Sequence, residues 1–396
     1  MRLFLLISIF LLGQTLNLLA QDSIGKPQVN VNGFAEMDVI YDFNRIDPDW
    51  NSALRASKIP INPEDPGWGT KGETILSVKY SRLSVQGLIP TNHKWGAIKA
   101  IFEFDLFGVA NNAGETAFHL RLAYGEMGPV LAGMDWSTFM DLSVFPNYFE
   151  YWGPPGQILI RNPMIRYTLK LGRNSKLAFA IENPGSQVDP GQIREVDPSL
   201  EVKSVHRVPD LIIRYRIQKK WGHFQAAGLA RRLGYDAMSD SLAIFHGSKF
   251  GWGLNLSSIV NLYQRDKLRL QFVFGEGYAG YNDDGGVELA PDENFNAVTP
   301  FQYGIVAFYD LFWNKHWTNS IGYSETTQIN SAGQLDNALY KLQYAIFNTT
   351  YHIVPGKAMV ALEYQFGKRY NKNKATANDN RIMFTAKFLF GKPSLF

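Results

Sequence analysis

The chain has 396 residues, of which 45% are hydrophobic and 14% aromatic, and it carries a formal net charge of +3. It contains no cysteine, which excludes disulfide scaffolds, thiol catalysis and cysteine-ligated zinc. Its basic residues are scattered rather than clustered, which argues against a nucleic-acid partner, and the mature part lacks an apolar run of the roughly 18 residues that a spanning helix needs.

The first twenty residues have the features of a secretory signal peptide. Arg2 supplies a positive charge, residues Leu3 to Leu12 form an apolar core, and the small Ala20 precedes Gln21. The alternative, a transmembrane anchor, is disfavoured because the apolar run is shorter than the ~20 residues of a bilayer span. We therefore expect a cleaved signal peptide (1–20), a short N-terminal segment (21–28) and one barrel domain (29–396).

The mature chain begins with strict alternation of apolar and polar residues. Val29, Val39 and Tyr41 fall on one face and Glu36 and Asp38 on the other, which is strand geometry. The pattern returns along the chain in segments of about ten residues, the length of a tilted membrane strand. It predicts about sixteen strands, at Val29–Phe43, Ile75–Leu88, Gly96–Phe107, Ala117–Glu126, Val130–Trp136, Ile158–Leu171, Lys176–Asn183, Pro209–Ile217, Gly222–Arg231, Lys249–Ile259, Lys267–Tyr278, Thr299–Leu311, Trp317–Ser324, Leu339–Ile353, Ala358–Lys368 and Arg381–Phe390.

Two of these segments carry a specific expectation. In Ile75–Leu88 the apolar phase switches between Tyr80 and Leu83, which indicates a bulge or a wrong boundary. In Ala117–Glu126 the alternation places Leu122 and Tyr124 outward.

The connections between the predicted strands alternate in length. Seven short turns are interleaved with eight long loops, among them Arg232–Ser248 and Asn371–Asn380. This is the arrangement of a bacterial outer-membrane β-barrel, all-β and antiparallel, with short periplasmic turns, long extracellular loops and both termini in the periplasm. We therefore predict a location in the outer membrane of a Gram-negative bacterium, in contact with its lipid.

Aromatic residues recur at the strand ends. Trp95, Trp136, Trp221 and Trp317 are examples, and an aromatic girdle at the membrane interface would place tryptophans there. The apolar face of the last strand and the terminal Phe396 resemble the signal that the outer-membrane assembly machinery reads.

Enzyme signatures are absent. The sequence has no Walker loop, no metalloprotease helix motif, no G-x-S-x-G elbow and no metal-ligand spacing among its seven histidines. We expect no catalytic site, no metal and no cofactor.

The polar faces of the strands carry more bases than acids, and basic pore linings favour anions. Arg214 and Arg216 stand two residues apart on one face, where their repulsion calls for counter-charges or an anionic solute. The alternative is that most of these charges pair across the wall and only stiffen the lumen. The candidate lumen residues outside the family motifs below are Lys99, His119, Arg214 and Arg216.

The loop Ser137–Gln157 is too aromatic for a freely solvated connection. Folding into the lumen would bury its rings and narrow the pore. Contact with a neighbouring subunit is the competing interpretation. Its candidate constriction residues are Asp141, Phe145, Tyr148 and Glu150.

Several motifs resemble those of the DcaP-like porins over nearly the whole mature chain. They are Arg121–Glu126, Leu131–Asp141, Gly153–Gly156, Arg161–Tyr167, Ile181–Pro184, Gly251–Asn255 and Leu362–Arg369. The resemblance implies a homotrimer of sixteen-stranded barrels with an inward-folded third loop, passing dicarboxylates and similar anions. It assigns Arg121, Arg161 and Arg166 to the basic residues flanking the signature block and Asp141 to the constriction loop. The helical N-terminal extension of some relatives has no counterpart in Gln21–Gln28.

Two functional hypotheses follow. The first is a porin for passive diffusion of small polar solutes, favouring anions such as dicarboxylates. The second is a structural or adhesive surface barrel whose long loops bind a partner. The two hypotheses predict different roles for the charges of the lumen, because only in a porin would removing a lumen charge alter ion selectivity. A gated receptor is disfavoured, since Gln21–Gln28 is too short to form a plug.

Overall fold

The computed structural model describes residues 25–61, 71–108, 117–196, 200–239, 242–263 and 265–391. The predicted signal peptide and Phe396 lie outside these ranges. Within them, no helix has the length and hydropathy needed to cross a bilayer.

The chain forms a closed antiparallel barrel of sixteen strands, two of which are interrupted. The strands are β1 Gln28–Asp42, β2 Glu73–Ser77 and Arg82–Ile89, β3 Ile98–Gly108, β4 Ala117–Met127, β5 Val130–Trp136, β6 Arg161–Lys170, β7 Ser175–Glu182, β8 Glu201–Val205 and Asp210–Lys219, β9 Gly222–Ser239, β10 Leu242–Asn261, β11 Lys267–Glu276, β12 Phe301–Phe312, β13 Trp317–Gln328, β14 Leu339–Val354, β15 Ala358–Asn371 and β16 Thr376–Gly391. Each strand pairs with its sequence neighbours, and β1 pairs with β16 from Asn32↔Gly391 to Asp42↔Arg381, which closes the barrel. The predicted fold class is confirmed.

Burial follows the predicted alternation on most strands. On β1, Val29 is 70% exposed toward the lipid side, whereas Glu36 and Asp38 are buried toward the lumen. On β16, Phe384 and Phe388 are exposed on the outer face. The inside is therefore polar and the outside apolar, as a lipid-embedded barrel requires.

Beyond the lipid-facing band the strands continue where the sequence predicted loops. The predicted loop Arg232–Ser248 is the projecting end of the β9–β10 hairpin, which pairs from Arg232↔Phe250 to Ser239↔Leu242. Residues 376–380 likewise belong to β16, and Glu201–Val205 lies within the predicted loop after β7. These boundaries were wrong because a strand outside the membrane keeps its ladder of hydrogen bonds without needing an apolar outer face.

Seven short turns and eight longer or projecting connections alternate around the barrel, and we number the latter L1 to L8. L1 (43–72) contains the short helices Pro48–Trp50 and Ala56–Lys58, L3 (137–160) contains Leu142–Val144, L4 (183–200) contains Ile193–Val196, and L6 (277–300) contains Ala279–Tyr281. The main apolar cluster lies inside the barrel, where Phe139, Met140 and Ile158 of L3 pack on the inner wall with Ile212 and Val273. The inward fold of L3 thus creates the apolar core.

Candidate functional site

L3 lies against the inner wall, and its first half is held by the carboxylate of Asp141. This carboxylate accepts hydrogen bonds from Arg216 Nη1 at 2.8 Å and Ser257 Oγ at 2.7 Å, and it lies 2.6 Å from His223 Nε2. Burial by itself would raise the pKa of Asp141, but the hydrogen bond and charge of His223, together with Arg216 and Ser257, outweigh burial and lower the pKa to about 2. Asp141 is therefore ionised and anchors L3 to three strands, β8, β9 and β10.

The second half of L3 is held by a carboxylate of the wall. Glu363 on β15 accepts the backbone N–H groups of Phe149 at 3.0 Å and Glu150 at 3.2 Å. The Glu150 side chain in turn accepts the backbone N–H groups of Leu54 in L1 and Trp152, each at 2.8 Å. Burial raises the pKa of Glu150 to about 7, against the opposing effect of these donors. Glu150 therefore joins L1 to L3.

Near its end, L3 lies flat on the wall at Gly156. The Gly156 N–H donates to Ser324 Oγ at 2.9 Å, and Gln271 Nε2 donates to the Gly156 carbonyl at 3.0 Å. A Cβ at this position would stand 2.3 Å from the Glu325 carbonyl oxygen and 2.6 Å from that of Ile305. Glycine is required here because backbone approaches backbone.

L1 and L6 close over L3 through Arg55. Its guanidinium lies 4.5 Å from the ring centroid of Trp50 and 4.3 Å from that of Trp152, and its Nε donates to Asp284 of L6 at 3.1 Å. The backbone N–H of Ser57 also donates to Asp284, at 2.8 Å. Three loops are thus joined at one point above the lumen.

Beneath this junction lies a chamber of about 280 Å³. Its polar lining comprises His119 and Arg121 of β4, Arg161 at the start of β6, and Asp283 of L6. Seven aromatic rings supply most of the remaining lining, namely Trp50, Tyr80, Phe107, Trp136, Phe145, Tyr151 and Trp152. The chamber, bounded by the wall, L1, L3 and L6, is the candidate solute site.

Arg121 enters the chamber from a β-bulge. The ladder between β3 and β4 pairs Glu103 with Leu122 and Phe104 with Leu120, so Arg121 has no partner in it. Arg121 Nε donates to Glu103 at 3.0 Å and Nη1 donates to Asp105 at 2.7 Å. The bulge also turns Leu122 inward, to 8% exposure, which corrects the prediction that it faces the lipid. Tyr124 pairs with the buried Ile101 and is also on the inner face.

The neighbouring Arg161 is bound differently. Its guanidinium lies 5.0 Å from the ring centroid of Trp136, a cation–π contact. Among the described residues it makes no ion pair with a carboxylate, and its buried Nη1 has no hydrogen-bond partner. The positive charge of Arg161 is therefore not neutralised by a direct contact.

Further arginines line the same wall on the periplasmic side of the chamber. Arg166 on β6 donates to Asp135 at 2.8 Å. Arg214 on β8 makes no ion pair with any carboxylate of the described ranges, and its cross-strand neighbours are Ala178 and Ala227. Farther down, a recess of about 750 Å³ has no acid in its lining and includes Lys170, Arg173, Lys176 and Arg216. This wall is the most cationic part of the described lumen.

The structure brings some predicted site residues together and separates others. Arg121, His119, Arg161 and Phe145 meet in the chamber, and Arg166, Arg214 and Arg216 follow along the wall. Lys99 pairs with Glu126 at 3.6 Å, about 27 Å along β3 from Phe107, which lines the chamber.

Three of the predicted constriction residues do not face the pore. Asp141 and Glu150 hold L3 in place, and Tyr148 packs against a cluster formed by Leu54 of L1 with Phe308 and Tyr344 of the inner wall. The carboxylates of this loop accept hydrogen bonds from the wall and from neighbouring loops, and its Tyr148 ring packs there, because this side of L3 is buried and buried polar groups need hydrogen-bond partners.

Several chamber residues had no specific prediction. Trp50, Phe107 and Asp283 come from distant parts of the chain, which no local pattern connects. Tyr80 lies at the break between the two segments of β2, where the phase switch had indicated an irregularity. Trp136 had been placed in the girdle but stacks against Arg161 inside, whereas Trp95, Trp221 and Trp317 are exposed beside short turns.

The described residues contain no group of three or more histidine, aspartate and glutamate side chains placed to hold a metal ion. A closed antiparallel barrel with a wall-bound inner loop and a charged lumen defines the class of outer-membrane porins. The chain belongs to the DcaP outer membrane protein family, which it matches over residues 14–390. It is therefore an outer-membrane channel protein.

Solved structures show the same fold. The outer membrane channel DcaP of Acinetobacter baumannii has a TM-score of 0.77 at 20% identity, covering 94% of this chain and 100% of that one. An anion-selective porin from Comamonas acidovorans reaches 0.59 at 10% identity, and the trimer form of Vibrio cholerae OmpT reaches 0.55 at 12%. Both cover 92% of this chain and 100% of their own. None of the three is described as an enzyme, and a search of the curated proteins finds no match.

Proposed function

We propose that this porin mediates passive diffusion of small polar solutes and favours anions, among them small dicarboxylates. The fold similarity to an anion-selective porin supports the sign of the preference. The charges of the lumen carry the argument.

The decisive observation is the pair of arginines whose charges no carboxylate contacts. On the wall from β2 to β8, Arg121 and Arg166 are neutralised by acids at 2.7–2.8 Å, and Arg216 by Asp141 at 2.8 Å. Arg161 and Arg214 have no such partner among the described residues. The positive charges of these two arginines therefore remain along the lumen wall, and each attracts an anion that passes it.

The acids around L3 do not cancel this charge. Glu150 and Glu363 are directed at backbone N–H groups of L1 and L3. Burial and the neighbouring Asp284 and Glu150 carboxylates raise the pKa of Asp283 well above its ordinary value, which disfavours the negatively charged form of this chamber residue.

The test is the reversal potential of the purified protein in a planar bilayer under a KCl gradient. We expect the sign of a chloride-favouring channel. One unit charge roughly 8 Å from a permeating ion attracts an anion and repels a cation by about 0.5 kcal/mol each in a water-like dielectric, a difference of about 1 kcal/mol. Arg161→Gln and Arg214→Gln should therefore each lower the anion-to-cation permeability ratio about fivefold.

Arg232→Gln is the matched control. Arg232 is exposed on the projecting part of β9, paired with the exposed Phe250, so its charge lies outside the lumen. A cation-favouring potential, or equal effects of all three substitutions, would contradict the proposal. A barrel without conductance would favour the adhesive alternative.

We further propose that the mature chain starts near Gln21 and assembles as a homotrimer through the outer-membrane assembly machinery, which recognises the terminal Phe396. The trimer form of the Vibrio cholerae protein supports the assembly state. Mass spectrometry of the N-terminus and cross-linking in outer-membrane vesicles test these points. A retained leader or a monomer would contradict them.

A further inference from the structure

The chamber above L3 has features that a general anion path does not require. A path for hydrated ions needs charge and width, whereas this space is mostly aromatic. Its volume of about 280 Å³ is just below the range of roughly 300–1,000 Å³ occupied by drug-sized ligands. It has room for one single-ring solute.

The charge of the chamber fits one carboxylate. Arg121 is already bound by Glu103 and Asp105, both within 3.0 Å. Arg161 alone among the chamber cations lacks a carboxylate contact, and its Nη1 is a buried donor without an acceptor in the structure. A carboxylate ligand would supply that acceptor and form a charge-assisted hydrogen bond.

The rings of the chamber include two pairs, one of which contacts this guanidinium. Trp136 lies under Arg161 and meets Phe145 edge-on, with centroids 5.9 Å apart. Phe107 and Tyr151 are stacked, with an interplanar angle of 5°. Tyr151 also donates from its hydroxyl to Asp105 at 3.0 Å, which holds the ring in position. These fixed ring faces and edges suit a flat ring, since aromatic rings attract one another in stacked and edge-on geometries.

A second carboxylate on the same solute would lack a partner here. The next arginine along the wall without a carboxylate contact among the described residues is Arg214 of β8, whose cross-strand neighbours are Ala178 and Ala227. Arg214 is not part of the chamber lining. Glu103 and Asp105, which neutralise Arg121, would repel an additional anionic group.

We propose that the chamber is a selectivity site for a planar ring that carries a single carboxylate, held by Arg161 and the surrounding aromatic rings. This rests on the proposed porin function and names the solute class for the chamber. Aliphatic dicarboxylates then use the channel as general anions without being retained in the chamber.

Benzoate is the probe, with succinate, cyclohexanecarboxylate and benzyl alcohol as comparisons. Binding to the detergent-purified protein is measured by calorimetry, and interruption of the single-channel current gives a second readout. We expect benzoate to bind about tenfold more tightly than each comparison compound, because each lacks the flat ring or the single charge. Equal affinity for succinate and benzoate, or no binding of benzoate, would overturn the proposal.

The variants separate this site from general anion selectivity. Arg161→Gln should weaken benzoate binding about tenfold or more, since a charged hydrogen bond is lost. Arg214→Gln should leave benzoate binding unchanged while it lowers the anion preference of the open channel. Equal loss of benzoate binding in both variants would show bulk attraction to the lumen instead of a site.

Failure of the proposed porin function gives a different pattern. If the wild-type channel shows no anion preference but still binds benzoate through Arg161, the proposed anion selectivity is wrong and the proposed chamber site stands. Arg161 makes no ion pair in the described structure, so its substitution should leave the barrel folded. Heat-dependent mobility on gels verifies this, and the ligand series on the wild-type protein does not depend on any variant.

Discussion

The substitution Asp141→Asn removes the charge that anchors the first half of L3. The Asp141 pKa of about 2, against an ordinary value of 3.8, corresponds to about 2 kcal/mol of stabilisation for the ionised, wall-bound state. Breaking a buried ion pair on one side costs about 3–5 kcal/mol. However, 25% of the Arg216 side chain is exposed to solvent, and asparagine still accepts one hydrogen bond. We therefore expect Asp141→Asn to destabilise the wall-bound state of L3 by the smaller of these figures, about 2 kcal/mol.

A loss of about 2 kcal/mol raises the population of locally detached L3 about thirtyfold. Hydrogen exchange measured by mass spectrometry should therefore accelerate by this factor in residues 138–145. Residues 147–153 should change little, because Glu363 and Glu150 hold them separately. Asp336→Asn is the control, since Asp336 is exposed in the connection between β13 and β14.

The pH dependence of the same anchor gives a second check. A lowered pKa means that the contribution of Asp141 is present above pH 3.8 and is lost as the pH falls through about 2. The wild-type loop should thus stay protected at pH 4. Unchanged exchange in the variant, or uniform acceleration over all of L3, would refute the argument that this carboxylate holds its own half of the loop.

Two further predictions concern the packing of L3. Glu150 has a raised pKa of about 7, so its contribution to the L1–L3 contact is full below pH 4.5 and declines as the pH rises through about 7. Protease cleavage of L1 should accordingly be faster at pH 8.5 than at pH 6, and Glu150→Gln should abolish that difference. Gly156→Val should push L3 off the wall and raise the single-channel conductance, whereas Gly87→Ala, with no atom within 4 Å of its Cβ, should not. Equal conductance in the two glycine variants would contradict the contact at Gly156.

The membrane-embedded part of the barrel was predictable from sequence alone. Lipid requires an apolar outer face and the lumen tolerates a polar inner one, so alternation such as that from Val29 to Tyr41 marks each strand within the bilayer. The projecting ends of β9 and β10 were missed because a strand needs an apolar outer face only within the membrane, so the alternation that marks a strand stops at the membrane surface. The bulge at Arg121 was missed because the register of one strand depends on its partner, and a single extra residue reverses the face of those that follow.

Some features of the candidate site could likewise be predicted from the sequence, and others could not. The arginines of the lumen and the aromatic character of L3 were visible in the sequence, because charge on a strand and rings in a long loop are local properties. Only the tertiary structure decided which charges are neutralised. Arg121 meets Glu103 and Asp105 across one strand pair, while Arg161 meets Trp136 and no carboxylate of the described residues. Electrostatic neutralisation depends on distances of a few ångströms between residues far apart in the chain, and the closing of the barrel and the inward fold of L3 set those distances.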